Sequence, residues 1–263
     1  MAEHVKILFI GDIVGSPGRK AVKLVIPEIV AHHGIDFVIA NGENAAAGFG
    51  ITPAIADELF LRDIDVITSG NHIWDKKEIM GYIDETSNLL RPANYPSGVP
   101  GAGHCSSDTA SGVTIGVMNL CGRVFMGNHD CPFRTGERGA EAMRESSPII
   151  IVDIHGETTS EKSALAWFLD GRVSAVIGTH THVQTADERI LPQGTAFITD
   201  AGMTGSIDSV IGMEREISLH RFLTGMPQRF EVAKGSVEFQ GVVVTIEIAS
   251  GRAVAIERVK RAV

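Results

Sequence analysis

Short apolar runs punctuate the first two thirds of the chain, at 5–10 (VKILFI), 37–40 (FVIA), 66–68 (VIT), 114–119 (TIGVMN), 149–152 (IIIV) and 173–177 (VSAVI). Their length suits strands rather than helices. Between them, apolar positions recur at helical spacing and predict amphipathic helices over 18–32, 53–61, 76–83, 138–146 and 161–169. Strands alternating with helices predict a largely parallel sheet with helices on its faces. The pattern changes from residue 197 onward. There 237–248 and 253–259 read as antiparallel strands, forming a second sheet or extending the first, and helical signals are few. The Gly- and Ser-rich stretch 95–112 reads as one long surface connection. No repeat, charge block or low-complexity linker divides the chain, so one domain over 1–263 is expected, two sheets deep with helices outside.

The polar positions add something that periodicity does not. Five of the apolar runs end in polar clusters: Gly11-Asp12, Asn41-Gly42-Glu43-Asn44, Ser69-Gly70-Asn71-His72, Asp153-Ile154-His155-Gly156 and Gly178-Thr179-His180-Thr181-His182. The C-terminal ends of parallel strands share one edge, where open α/β folds bind their ligands. In an extended chain side chains at i and i+2 point the same way, so His180 and His182 are expected to converge. The edge then gathers Asp12, Glu43, Asn44, Asn71, His72, His155, His180 and His182. Imidazole and carboxylate donors without cysteine are a ligand set for zinc, iron or manganese. Eight candidates exceed one tetrahedral ion. Two ions sharing a carboxylate would use all but one of them, and two-metal sites are typical of enzymes that hydrolyse phosphate esters.

Each residue alone has a plainer reading. Asp12 and Asn71 follow glycines and suit turns, and a lone His155 suits a structural role. Glu43 and Asn44 lie too far upstream to cap the helix beginning near Pro53. The remaining histidines, His4, His32, His33, His104, His129 and His220, fall off the expected edge. Cys121 reads as a small core residue, with no base evident beside it. Arg123 and Arg134 suit either a substrate phosphate or the surface. Asp200, Gly202 and Thr204 are expected to shape a loop near the metals. Neither a dinucleotide fingerprint nor a Walker A sequence occurs.

Charge and composition narrow the partners. A formal net charge of -9 argues against sequence-independent binding to duplex DNA or to an anionic membrane. Three cysteines without a CxxC pair suit a reducing compartment. The N-terminal stretch lacks the apolar region of a signal peptide, and no run is long enough to span a membrane, so a cytoplasmic location is expected.

Several motifs together resemble the calcineurin-like metallophosphoesterases: GD after the first strand, GNH in SGNHIWD, and GTHTH where that family has GHxH. The chain is still more similar to their bacterial YmdB-type phosphodiesterase branch, through GDIVGSPGR, ANGENAAAGFGIT, TSGNHIWDKKEI, LLRPANYP, DIHGE, GTHTHVQTADERILP and TDAGMTG. These blocks run from Asp12 to Gly205 and so cover most of the chain. Two departures from the wider family fit the branch. The histidine of its first D-x-H motif is absent from Asp12-Ile13-Val14, and Glu43 stands for its bridging aspartate.

The resemblance implies a four-layer α/β/β/α sandwich. It also implies two transition-metal ions, iron or manganese favoured with zinc compatible. Asp12, Glu43, Asn44 and His182 would hold one ion, and Glu43, Asn71, His155 and His180 the other, with Glu43 bridging. His72 would be the general acid. The implied activity is phosphodiester hydrolysis by in-line attack of a bridging hydroxide, on a small cyclic nucleotide, the 2′,3′-cyclic type favoured. RNA ends and a homo-oligomer stay open. The alternatives are a phosphomonoesterase, or a regulatory protein that senses a nucleotide or RNA with little turnover.

Overall fold

The computed structural model describes residues 3–263. Strand β1 (His4–Ile10) is followed by β2 (Asp12–Ile13), α1 (Gly15–His33), β3 (Phe37–Asn41), α2 (Pro53–Phe60), β4 (Val66–Thr68) and α3 (Ile79–Glu85). The middle of the chain carries β5 (His104–Asp108), β6 (Thr114–Cys121), α4 (Pro132–Met143), β7 (Ile149–His155), α5 (Thr159–Phe168) and β8 (Ala175–Thr179). The last part comprises β9 (Arg189–Ile190), β10 (Ala196–Ile198), β11 (Met203–Ser206), α6 (Arg215–Thr224), β12 (Val237–Glu247) and β13 (Ala253–Ala262). They form a 7-stranded sheet, ordered β2-β11-β12-β1-β3-β4 with β13 beside β12, and a 6-stranded sheet, ordered β5-β6-β7-β8-β10-β9.

Strand parity explains the layers. In β1, Leu8 and Ile10 pack with Val22, Ile26 and Ile29 of α1, whereas Ile7 and Phe9 share a core with Val117, Ile149, Ile151 and Ile177 of the opposite sheet. On the far side of the second sheet, Leu120, Ile150 and Val152 meet Ala140 of α4 and Leu165 of α5. The order is therefore helix, sheet, sheet, helix. Strands buried on both faces must be apolar at every position, which is why the runs are continuous instead of alternating. Ile7, Leu8, Phe9 and Ile10 are all fully buried, each contributing about 1.5–3 kcal/mol.

The C-terminal strands settle which sheet they join. Strand β12 lies antiparallel to β1 and β13, so the pair extends the first sheet. Helix α4 begins six residues earlier than the 138–146 expected from the pattern, at Pro132. Its Gly136 and Gly139 look like breakers but sit against Leu120 and Met118, where the sheet approaches the helix closely. Residues 95–112 are not one surface connection. Tyr95 is buried, and β5 pairs antiparallel with β6 as an edge strand whose polar HCSSD gives no apolar signal. Helix α6 was not expected either, because most of its side chains, including Phe222 and Leu223, face outward. Among the described residues, no helix is long and apolar enough to cross a membrane.

On the face between the sheets, apolar side chains give way to polar ones at the C-terminal strand ends. Phe37 and Ile39 lead to Asn41, Val66 to Thr68, Ile149 and Ile151 to Asp153 and His155, and Ala175 and Ile177 to Thr179. This parity carries the site.

Candidate metal centre

Asp153 anchors the floor. Its carboxylate accepts from Thr68 Oγ1, from Asn41 Nδ2 at 3.0 Å and from Thr179 Oγ1 at 2.7 Å. Burial outweighs these bonds and pushes its pKa up to about 6. Thr179 spends its one hydroxyl proton on Asp153, so at 2.9 Å from His155 Nδ1 it accepts. That fixes the His155 tautomer, with Nδ1 protonated and Nε2 carrying a lone pair.

The lone pair meets other lone pairs. His155 Nε2 lies 2.9 Å from Glu43 Oε1, 3.2 Å from Asn71 Oδ1 and 2.9 Å from His180 Nδ1. The far nitrogen of His180 is 3.0 Å from Glu157 Oε2 and donates to it, so its Nδ1 is also an acceptor. Glu43, His155 and His180 place their ligand atoms within 4.8 Å of one another. Four acceptors converging on one buried point repel unless a cation stands between them. When a proton is that cation it resides on His155. Burial opposes this charge, but the carboxylates of Glu43 and Asp12 prevail and raise the imidazole to about 9. Burial likewise opposes ionisation of Glu43, yet His155 brings it down to about 2, while burial and His155 together lower His180 to about 3. The donor set fits a metal ion.

A second group adjoins the first. His182 Nδ1 is 2.8 Å from the carbonyl of Ile211 and donates to it, leaving Nε2 as an acceptor 3.8 Å from Asp12 Oδ1. Asp12 is fully buried, and its Oδ1 has no hydrogen-bond partner among the described residues. Its other oxygen accepts from the His180 amide at 3.1 Å, and burial raises its pKa. An orphaned carboxylate oxygen beside an imidazole lone pair also fits a cation. Asn44 directs its amide group at both His182 Nε2 (3.1 Å) and Glu43 Oε1 (3.3 Å). A half-turn of that amide exchanges Nδ2 for Oδ1 and converts a donor into a ligand. Glu43 touches both groups.

The two histidines of the GTHTH stretch converge, but not through an extended chain. Strand β8 ends at Thr179, and both His180 (φ 98°) and His182 (φ 62°) have left-handed backbones. Such strain in non-glycine residues persists only where the surroundings impose it. Here Asp200 Oδ2 accepts from the amide of Thr181 at 3.0 Å and from its hydroxyl at 2.8 Å, and the fully buried Lys162 donates to the same oxygen at 2.9 Å. The carbonyl of Gly202 meanwhile accepts from the Asp12 amide at 3.0 Å. The turn at 200–202, leading into β11, thus steadies both groups. Gly70 has a comparable steric role: a Cβ there would run into the His155 ring and the Glu43 carboxylate.

His72 sits at the rim. Its amide donates to Glu43 Oε2 at 3.1 Å, and its Nδ1 lies 2.9 Å from Asp75 Oδ2, leaving Nε2 as the ring's free nitrogen. It lines a cavity of about 320 Å³ together with His180, His182, Phe49, Met213 and Phe230. The Phe49 ring meets His72 edge-on, with centroids 5.0 Å apart. All eight expected residues therefore come together at one place. Arg123 lines a different cavity, and Arg134 pairs with Glu137 on the surface. Cys121 is buried with its thiol pKa raised, and takes no part. Sequence reasoning missed Asp75, Asp153, Glu157 and Lys162. Asp153 could have been found, since it shares the face of His155 two residues on; Lys162 could not, because a lysine on an amphipathic helix reads as a solvent-facing residue.

The family model described as "YmdB-like protein" matches residues 8–259. A "2′,3′-cyclic-nucleotide 2′-phosphodiesterase" of Bacillus subtilis is 52% identical, the match covering 97% of this chain and 96% of the relative. A "putative phosphatase/phosphodiesterase" of Mycoplasma genitalium is 34% identical over 98% of this chain and 93% of its own. Among solved structures, a hypothetical protein from Thermus thermophilus superposes with a TM-score of 0.92 at 44% identity, covering 98% of this chain and 99% of the other. A structure described as a novel phosphatase of Mycoplasma pneumoniae also gives 0.92, at 32% identity, covering 100% and 95%. With its four layers, its polar strand-end clusters and a similarity that spans nearly all of its length, the chain belongs to the YmdB-like family.

Proposed function

We propose that this protein is a metal-dependent phosphodiesterase that opens 2′,3′-cyclic nucleotides. The observation that carries the reading is the convergence of His155, His180, Glu43 and Asn71 as mutually facing acceptors beside the orphaned Asp12 oxygen. The similarity to the Bacillus subtilis relative supplies the substrate class. Asp12, Glu43, Asn44 and His182 would hold one ion, and Glu43, Asn71, His155 and His180 the other. Nitrogen and oxygen donors without thiolate suit iron or manganese, with zinc also compatible. When bound, the ions polarise the phosphoryl group and make a water nucleophilic near neutral pH. A cytoplasmic setting is in keeping with three free cysteines.

The remaining steps belong to the chain's own side chains. Water attacks phosphorus and gives up a proton to solvent, the bond from phosphorus to the 2′ oxygen breaks, and the departing oxygen takes a proton from His72 Nε2, which solvent then restores. Asp75 holds Nδ1 and so aims the ring. Phe49 packs on the ring and shields it from solvent on that side. The product is a 3′-phosphomonoester.

The test is turnover by metal-analysed protein on adenosine 2′,3′-cyclic phosphate, on a bis-aryl phosphodiester and on the matching monoesters. Diesters should be cleaved well and monoesters poorly; the reverse order makes the protein a phosphomonoesterase. His72→Ala should keep two metals per chain and lose about 10²–10⁴-fold in turnover of the cyclic nucleotide. The loss should be smaller with a nitrophenolate leaving group, which needs no acid. Full activity of the variant on both substrates would remove His72 from the mechanism.

A further inference from the structure

A second cavity, of about 700 Å³, shares Phe49 and Phe230 with the catalytic pocket. Its walls carry Lys76, Arg229 and Lys234, against one carboxylate, Glu231. In a chain of net charge -9 this is a local reversal of sign. Elsewhere cations such as Arg19, Arg258 and Lys260 are paired with carboxylates. Among the described residues, the ion pairs and side-chain hydrogen bonds include none made by the side chains of Lys76, Arg229 or Lys234. Ser16 and Pro17, in the first turn of α1, complete the cavity, and that turn has no acidic residue.

The two phenylalanines form the partition, with ring centroids 6.3 Å apart. Arg221 lies over the outer ring, its Cζ 4.9 Å from the centroid of Phe230. Aromatic faces flanked by unpaired cations are how proteins hold single-stranded nucleic acid, the bases stacking while the cations follow the phosphates. A mononucleotide whose cyclic phosphate lies at the metal centre fills the inner pocket and has no phosphate to place in the outer one. A strand that continues from its 5′ oxygen does. We infer that the enzyme's substrates include RNA chains ending in a 2′,3′-cyclic phosphate. The terminal nucleotide occupies the catalytic pocket, and the upstream phosphates cross the Phe49–Phe230 partition to Lys76, Arg229 and Lys234.

The inference rests on the cyclic-phosphate activity proposed above. It is tested by comparing adenosine 2′,3′-cyclic phosphate with an octaribonucleotide that ends in the same group, on the metal-loaded protein. The oligonucleotide should show a kcat/KM at least about tenfold higher at low salt. Each phosphate contact on a single strand adds about -0.7 to the slope of log affinity against log salt, so three contacts give about -2. Arg229→Ala combined with Lys234→Ala should remove most of the oligonucleotide advantage and shrink that slope by about 1.4, leaving the mononucleotide rate unchanged. Equal rates on the two substrates in the unaltered protein overturn the inference. So do equal losses on both in the variant, since the cations then serve the inner pocket itself. If the unaltered protein fails to open the mononucleotide, the activity reading fails first. The groove is then judged alone, by fluorescence anisotropy of an octaribonucleotide with a 3′-phosphate. Salt-sensitive binding weakened in the double variant supports it, and equal binding by both proteins overturns it.

Discussion

At the scale of single residues, the tautomers decide the chemistry. Thr179 and Glu157 each take the outer N–H of a histidine, and thereby turn the inner nitrogens of His155 and His180 toward Glu43. Such partners to the outer nitrogen orient an imidazole for metal binding. In the metal-free protein His155 holds a proton up to about pH 9, so an ion entering this group must displace it. Below about pH 9 the apparent affinity should rise with pH, about tenfold per unit for one proton released. Calorimetric titration of metal-free protein between about pH 6 and 8, in buffers of different ionisation enthalpy, should show that release. Binding independent of pH and buffer would mean that His155 is no ligand. Gly70→Ala probes the same point sterically. The added methyl displaces the His155 ring or the Glu43 carboxylate, so metal content should fall, while a fully loaded variant would show that the centre can move aside.

At the scale of elements, most of the proposed ligands come from loops, with Asp12 and His155 on strands, and one buried ion pair helps to set their positions. Lys162 reaches through the core from α5 to the Thr179 carbonyl and to Asp200, which in turn grips Thr181. Breaking a buried pair from one side leaves the other charge uncompensated, at a cost of about 3–5 kcal/mol. Lys162→Met and Asp200→Asn should each destabilise the protein by about that amount and weaken metal binding at His180 and His182. The double variant should cost less than the sum of the two. Denaturant unfolding together with metal titration checks this, and strict additivity would deny the coupling. This pair also marks where the sequence stops being legible. The continuous apolar runs announced doubly covered strands, and their polar ends announced the eight residues that the fold brings together. The left-handed turns at His180 and His182 were invisible, because extended alternation also predicts convergence at i and i+2. Helix α4 was displaced in the pattern because Gly136 and Gly139 act through close packing and not through propensity. Strand β5 and helix α6 are exposed, so neither leaves an apolar trace of the expected period.

At the scale of the whole molecule, the centre spans the gap between the sheets. Asp12, Glu43, Asn44 and Asn71 follow strands of the first sheet, whereas His155, His180 and His182 end or follow strands of the second. On the proposed assignment an ion held by both would be a clip across the central core as well as a cofactor, with its binding linked to folding. A ligand present at about 100 times its dissociation constant stabilises the state that binds it by about 2.7 kcal/mol. In a chain of this size about 1 kcal/mol moves the midpoint by about 2–4 °C. Chelation should thus lower the Tm by about 5–10 °C, more if both sets of ligands are tightly filled. Glu43→Ala supplies the control, because losing the carboxylate shared by the two groups removes most of the linkage. Its Tm should lie near that of the chelated protein and respond little to chelator. Differential scanning calorimetry with metal content measured on the same samples decides the matter. If chelation strips the metal and leaves the Tm unchanged, the ligands of the two sheets are not tied through the ion, and the centre belongs to one sheet alone.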